Sequence, residues 1–288
     1  MASITVGEIP VGGSAPLVLI AGPDVVESRT LLHETCEVLL EITRPLSVPL
    51  IFKSSFTKAN RSSGSSYSGP GREEGLAALA EVKERWGVAV TTDVHETGDV
   101  APAAEVADLI QIPAFLCRQT PLALAAAASG RAVNIKKGQF LAPSGMHALV
   151  EKITREGNPD VMVTERGTTF GFGDLVVDMR GLAEMGRLGT PVIFDATHST
   201  QLPGAEGTRS GGQRQYAAVL ARAAAGAGIA GLFCEVHPDP PSAKCDADAQ
   251  LRPSQLTGLL RHVMAVDAAR RASAGDEARA LPTPGEEL

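Results

Sequence analysis

Basic, acidic and imidazole side chains recur along this chain in small groups, each just after a short apolar run. In order they are Asp24; Lys53, Ser55, Lys58, Asn60 and Arg61; Asp93 and His95; Phe115 and Arg118; Lys136, Lys137 and Gln139; Glu165 and Arg166; Asp195 and His198; Glu235 and His237. The chain holds only seven lysines, and four of them (53, 58, 136 and 137) fall into two of these groups. Ammonium and guanidinium groups that converge in a concave, partly dry site repel one another, so they point to a ligand with several anionic groups. Two phosphates and a carboxylate would suit. Residues 58–63 (KANRSS) combine a cation, a guanidinium fork and the Ser62 and Ser63 hydroxyls, which could clamp a phosphate. The competing reading is a structural ion network.

His198, Glu235 and Asp246 offer nitrogen and oxygen ligands for a divalent ion. A single histidine in such a place is more commonly hydrogen-bonded than metal-bound, and Asp246 could instead orient a substrate hydroxyl. His95 and His237 read as structural. The glycine-rich stretch 204–212, with Arg209 and Ser210, reads either as a mobile lid or as a surface turn. Four cysteines, at 36, 117, 234 and 245, show no paired spacing. Disulfides are not expected, and Cys36 and Cys234 read as small buried hydrophobes.

What must position these groups is legible from periodicity. Short apolar runs at 16–21, 48–52, 88–92, 109–113, 132–135, 161–164, 191–194 and 229–234 predict eight strands. Helical spacing lies between them, as in Leu31, Thr35, Val38, Leu39 and Ile42, and again in Met146, Leu149, Val150 and Ile153. Strand and helix alternate eight times over about 250 residues, which favours an α/β fold closed as a (β/α)8 TIM barrel over an open sheet. In such a barrel the loops after the strands converge on one rim, and every polar group named above sits there. Ile4 to Val11 alternates around Gly7 and predicts a short N-terminal hairpin, about 3–12, covering the bottom of the barrel. One domain over 1–271 is expected, with a polar, disordered tail over 272–288.

A net charge of −7 gives no global positive field for nucleic acid or an anionic membrane. The first basic residue is Arg29 and no apolar run reaches membrane-spanning length, so a cytoplasmic location is expected.

From about Leu17 through Leu260 the chain resembles the 3-deoxy-D-manno-octulosonate 8-phosphate synthase (2-dehydro-3-deoxyphosphooctonate aldolase) family. The resemblance rests on seven ordered segments: 52–63 (FKSSFTKANRSS), 92–96 (TDVHE), 111–120 (QIPAFLCRQT), 134–140 (NIKKGQF), 164–171 (TERGTTFG), 194–199 (FDATHS) and 235–239 (EVHPD). It implies condensation of phosphoenolpyruvate with D-arabinose 5-phosphate and water, giving 3-deoxy-D-manno-octulosonate 8-phosphate and inorganic phosphate, in keto-deoxy sugar and lipopolysaccharide synthesis. By that likeness Lys58, Lys136, Gln139 and Arg166 hold phosphoenolpyruvate, aided by Ser55 and the backbone near Ala114, with Lys53 and Gln111 in the same lining. Asn60, Arg61 and Ser62 hold the pentose phosphate, Asp93 and Phe115 line the sugar, and Arg118 comes from a neighbouring subunit of a homotetramer. His198 and Asp246 assist the chemistry, and no organic cofactor is implied.

One position departs from the family. Its metal-using branch carries cysteine, and its metal-free branch asparagine, where this chain has Asp24. Residues 21–23 and 201–203 look like the first branch; 244–246 look like the second. If Asp24 joins His198, Glu235 and Asp246 as a ligand, a harder ion, manganese or magnesium, is expected in place of zinc or ferrous iron. Alternatively Asp24 pairs with a nearby lysine and no metal is needed. Other readings are the same chemistry on erythrose 4-phosphate, against which the alanine and asparagine after Lys58 argue; a Schiff-base aldolase using Lys136 or Lys137; and a sugar phosphate binder without catalysis.

Overall fold

The structure is a computed structural model that describes residues 2–61, 63–203 and 211–280, with side chains to residue 273. The chain opens with an antiparallel hairpin, β1 (Ser3–Val6) and β2 (Ile9–Gly12). Eight β/α units follow. They are β3 (Val18–Gly22) and α1 (Arg29–Thr43), β4 (Leu50–Lys53) and α2 (Arg72–Trp86), β5 (Ala89–Asp93) and α3 (Thr97–Val106), then β6 (Leu109–Ile112) and α4 (Thr120–Ala128). Next come β7 (Ala132–Lys136) and α5 (Met146–Arg155), then β8 (Val161–Glu165), whose loop carries a second hairpin, β9 (Thr168–Phe170) with β10 (Asp174–Val176), before α6 (Met179–Gly186). After β11 (Val192–Asp195), the short pair β12 (Gln201–Leu202) and β13 (Gly211–Gly212) precedes α7 (Ala217–Ala227). The last unit is β14 (Gly231–Glu235) with α8 (Pro253–Ala280).

The eight long strands close in the order β11-β14-β3-β4-β5-β6-β7-β8, all parallel, as the eight apolar runs predicted. Two cores result from the two-residue period of a strand. Leu19, Phe52, Val90, Ile110, Val133, Val163, Phe194 and Leu232 point outward and pack under the helices. Val18, Ile20, Ile51, Leu109, Met162, Ile193 and Phe233 point inward, and Ile4, Val6 and Val11 of the hairpin close the bottom of that inner core. Each fully buried side chain such as Phe52 or Phe194 contributes about 1.5–3 kcal/mol. At Gly231 a methyl group would come 2.6 Å from Val18 Cγ2, so glycine is what lets β14 lie against β3.

Helix α5 buries the expected Met146, Leu149, Val150 and Ile153. Helix α1 starts where the Ser28 side chain accepts the Leu31 N–H at 3.1 Å, and it buries Leu32, Thr35, Cys36, Leu39 and Leu40. The expected row through Leu31, Val38 and Ile42 therefore lies at the edge of its buried face. Cys36 and Cys234 are buried, and burial raises both thiols, Cys36 to about 12. Helix α8 continues to Ala280, past the boundary expected at residue 271, because 272–280 (ASAGDEARA) is rich in alanine despite its polarity. No helix among the described residues is long and apolar enough to cross a membrane.

Candidate active site

The inward positions of the strands change character toward their carboxyl ends. Ile51 is followed two residues on by Lys53, Leu109 by Gln111, Ile193 by Asp195 and Phe233 by Glu235. These ends and their loops enclose a cavity of about 440 Å³. Of the residues singled out in the sequence, Asp24, Lys53, Lys58, Asn60, Arg61, Asp93, Gln111, Ala114, Phe115, Lys136, Gln139, Arg166, His198, Glu235 and Asp246 line it. Lys58, Lys136 and Arg166 thus face a common space.

Two expected residues do not line it. Ser55 lies just behind the wall, fully buried, where it accepts from Lys53 Nζ at 2.8 Å and donates to Asp93. Arg118 is exposed and outside the cavity. Ser62 lies outside the described residues, as do residues 204–210 of the expected lid. His95, read as structural, does line the cavity, 3.2 Å from Asp93 Oδ2. His237 is buried beside Glu27.

The lysines are not bare. Lys53 Nζ is 2.9 Å from Asp93 Oδ1, Lys58 pairs with Asp24, and Lys136 Nζ is 2.6 Å from Asp195 Oδ2 and 4.0 Å above the Phe233 ring. The sequence reading left these cations to be neutralised by a ligand. In the fold, carboxylates from neighbouring strand ends already do much of it, since a buried ammonium without a counter-charge is strongly destabilising. Lys137 turns away altogether: it is fully buried, 3.4 Å from Glu165 and bonded to Thr168 Oγ1. Glu165 in turn accepts the Arg166 and Gly167 N–H groups, a turn that Gly167 makes possible with φ of +96°.

Two guanidiniums differ from the lysines. Among the described residues neither Arg61 nor Arg166 has a carboxylate within 4 Å, and Arg61 Nε and Arg166 Nη1 are buried without a hydrogen-bond partner. Arg61 donates to Cys245 Sγ at 2.6 Å; Arg166 donates to Gln201 Oε1 at 2.6 Å. They follow β4 and β8, yet both reach toward the loop after β14, where Arg61 meets Cys245 and Arg166 is joined through Gln201 to Asp246. Burial depresses the Arg166 guanidinium somewhat, against the pull of Asp195 and Asp246.

One donor atom each from Asp24, His198, Glu235 and Asp246 comes together, all within 4.8 Å of one another. Burial and the neighbouring Asp24 charge push the Glu235 carboxyl well above its usual range. Burial would raise Asp24 too, but Lys58 and a hydrogen bond shared with Glu235 hold it low. Asp246 is raised to about 6 by burial and by Asp24, and burial lowers His198 to about 4 in spite of Asp195. Of the cluster, burial thus favours the neutral forms of Glu235 and His198, while Lys58 keeps Asp24 charged.

Comparison with known proteins decides the family. The DAHP synthetase I family model matches residues 2–271. A 2-dehydro-3-deoxyphosphooctonate aldolase of Syntrophotalea carbinolica is 52% identical over 92% of this chain and 96% of its own. Those of Pelobacter propionicus and Geobacter sp. (strain M21) are 52% and 51% identical, each over 92% of this chain and 97% of their own. The chain belongs to the 2-dehydro-3-deoxyphosphooctonate aldolase family.

For a member of this family, three residues went unweighed in the sequence. Asp195 carries Lys136 and His198; Gln201 bridges Arg166 and Asp246, donating to Asp246 Oδ2 at 2.5 Å; Cys245 meets Arg61. Asp195 stood at a strand end, which was a usable signal. Gln201 and Cys245 entered within the branch-like runs 201–203 and 244–246, which did not reveal their contacts, because their partners come from other units of the barrel.

Proposed function

We propose that this family member condenses phosphoenolpyruvate with D-arabinose 5-phosphate and water, releasing inorganic phosphate and forming 3-deoxy-D-manno-octulosonate 8-phosphate. The observation that carries the reading is the pair of guanidiniums, Arg61 and Arg166, which line one polar cavity and have no carboxylate within 4 Å among the described residues. Two anionic reactants fit that arrangement. Arg166, Lys136, Gln139 and Lys58 hold phosphoenolpyruvate, with Ser55 and Lys53 stiffening the wall; Arg61, Asn60 and Ser62 hold the pentose phosphate, and Asp93, Phe115 and Gln111 flank the sugar. Carbon 3 of phosphoenolpyruvate attacks the aldehyde carbon, water adds to carbon 2, and phosphate leaves with its bridging oxygen by cleavage of the carbon–oxygen bond. In a metal-free site, a ring nitrogen of neutral His198 is suited to accept a proton from that water; with an ion held, the same nitrogen serves as a ligand instead.

A divalent ion belongs to the same proposal. Asp24 Oδ2 and Glu235 Oε2 are buried without a hydrogen-bond partner, as is expected of oxygens meant for a cation. Three carboxylates and one imidazole form a hard donor set, favouring manganese or magnesium over zinc. When bound, such an ion polarises the aldehyde oxygen. Lys58 competes for Asp24, and a metal-free site held by that ion pair is the second reading, favoured by their direct contact.

Exposed Phe115, Phe140, Phe170 and Phe172 support assembly into a homotetramer, with Arg118 reaching a neighbouring site. The phosphorylated substrates agree with a cytoplasmic enzyme.

The test is incubation of the purified full chain with phosphoenolpyruvate and a panel of aldose phosphates, before and after chelation. Phosphate release with arabinose 5-phosphate, and a product of the expected mass, are predicted. Phosphate release without aldose, or preference for erythrose 4-phosphate, would refute the assignment.

A further inference from the structure

We propose that Asp195 is a positioning residue, which fixes the His198 imidazole in its Nδ1–H tautomer and ties it to the Lys136 ammonium. Its carboxylate sits at the end of β11, fully buried, and lies behind the cavity wall. One oxygen, Oδ1, accepts the backbone N–H of Thr197 at 3.1 Å and of His198 at 2.9 Å, together with the Thr197 hydroxyl at 3.1 Å. Those three donors fix the plane of the carboxylate. The Thr197 hydroxyl accepts the Glu235 N–H at 3.2 Å, which joins the group to β14.

The other oxygen, Oδ2, faces two nitrogens, Lys136 Nζ at 2.6 Å and His198 Nδ1 at 2.8 Å. Lys136 Nζ and His198 Nδ1 are themselves 3.3 Å apart. Both ring nitrogens face a carboxylate, and Asp195 Oδ2 at 2.8 Å from Nδ1 is nearer than Glu235 Oε1 at 3.3 Å from Nε2. A proton is attracted and a lone pair repelled most strongly at the shorter distance, which assigns the proton to Nδ1. Nε2 then presents its lone pair to the cavity, 3.3 Å from Glu235 Oε1 and 3.9 Å from Asp246 Oδ2. Asp195 therefore does two things with one oxygen. It selects which ring nitrogen presents a lone pair to the cavity, whether toward the reacting water or toward an ion, and it holds the cation that binds phosphoenolpyruvate at a fixed distance from that ring. The second half rests on the assignment of Lys136 and His198 given above; the tautomer does not.

Asp195→Asn separates the two. The Asn oxygen keeps the backbone donors, which leaves its NH2 group facing His198 Nδ1 and Lys136. An amide N–H can only meet an Nδ1 lone pair, so the proton moves to Nε2 and Lys136 loses its anchor. The experiment uses the full chain labelled with 15N-histidine. The chain has six histidines, and the His198 signals are identified by their loss in His198→Gln. Two-bond nitrogen–proton couplings should report Nδ1–H in the wild type and Nε2–H in Asp195→Asn, with the other histidines unmoved. In steady-state assays kcat should fall about 100-fold, with a raised KM for phosphoenolpyruvate. A merely structural role would leave the tautomer alone. Nε2–H in the wild type overturns the inference even if the variant does not fold, as does a variant that keeps Nδ1–H or an unchanged kcat. A wild type that shows Nδ1–H yet releases no phosphate with arabinose 5-phosphate refutes the proposed reaction and leaves the tautomer assignment standing.

Discussion

The Lys58 ammonium rests directly on the Asp24 carboxylate, with the Asp24 side chain 2% exposed and that of Lys58 12% exposed. Two residues from different strand ends thereby share a charge inside the cavity. Lys58 is pushed well above its usual range, because Asp24, Asp93 and Glu235 outweigh the burial that would lower it. It therefore stays a cation through the neutral pH range, beside the candidate ligand cluster.

Lys58→Met keeps the length of the side chain and removes its charge. Losing one preorganised cation should lower kcat/KM for phosphoenolpyruvate by about 100- to 1,000-fold. Initial rates at limiting phosphoenolpyruvate check this, and wild-type rates would remove Lys58 from the site.

Asp24→Cys replaces a hard oxygen ligand with a soft sulfur in the same cluster. Its preference should move from manganese toward zinc, read from competition between the two ions by calorimetry. An unchanged order of affinities would show that Asp24 does not touch the ion.

Asp93 is held well below the usual carboxylate range, since Lys53 and Lys58 outweigh the effect of its burial. A depressed folded-state pKa contributes stability above the unfolded value, about 3.9, and that contribution disappears as pH falls below it. Asp93→Asn also strands Lys53, whose own pKa burial already lowers. The variant should lose about 3–5 kcal/mol at pH 7, and the gap to wild type should narrow below about pH 4. Denaturant melts at both pH values measure it; a gap independent of pH would contradict the pairing.

Gln201→Ala breaks the bridge from Arg166 to Asp246. Hydrogen bonds to charged groups contribute about 1.5–3 kcal/mol, so kcat/KM should fall by about 10- to 100-fold. The loss should fall mainly on the KM for phosphoenolpyruvate. Unchanged kinetics would make the bridge incidental.

Borohydride should trap no adduct with a keto acid substrate. Lys136 is held by Asp195 and Lys137 is fully buried against Glu165, so neither offers a free amine to the cavity. A labelled lysine peptide would revive the Schiff-base reading.

The sequence by itself determined the eight strands, the hairpin beneath them and the rim that carries the chemistry. Strand period and the polarity of the residue after each apolar run are local properties, and the seven family segments fix their order. It also brought Asp24, His198, Glu235 and Asp246 into one hypothesis. Only the tertiary structure decided which cations carry a carboxylate partner and which do not. Lys53 with Asp93, Lys58 with Asp24 and Lys136 with Asp195 pair across different units, while among the described residues Arg61 Nε and Arg166 Nη1 find no partner. Such pairing depends on which strand ends become neighbours when the barrel closes and on which way each long side chain then turns, and neither distance is written in the spacing along the chain.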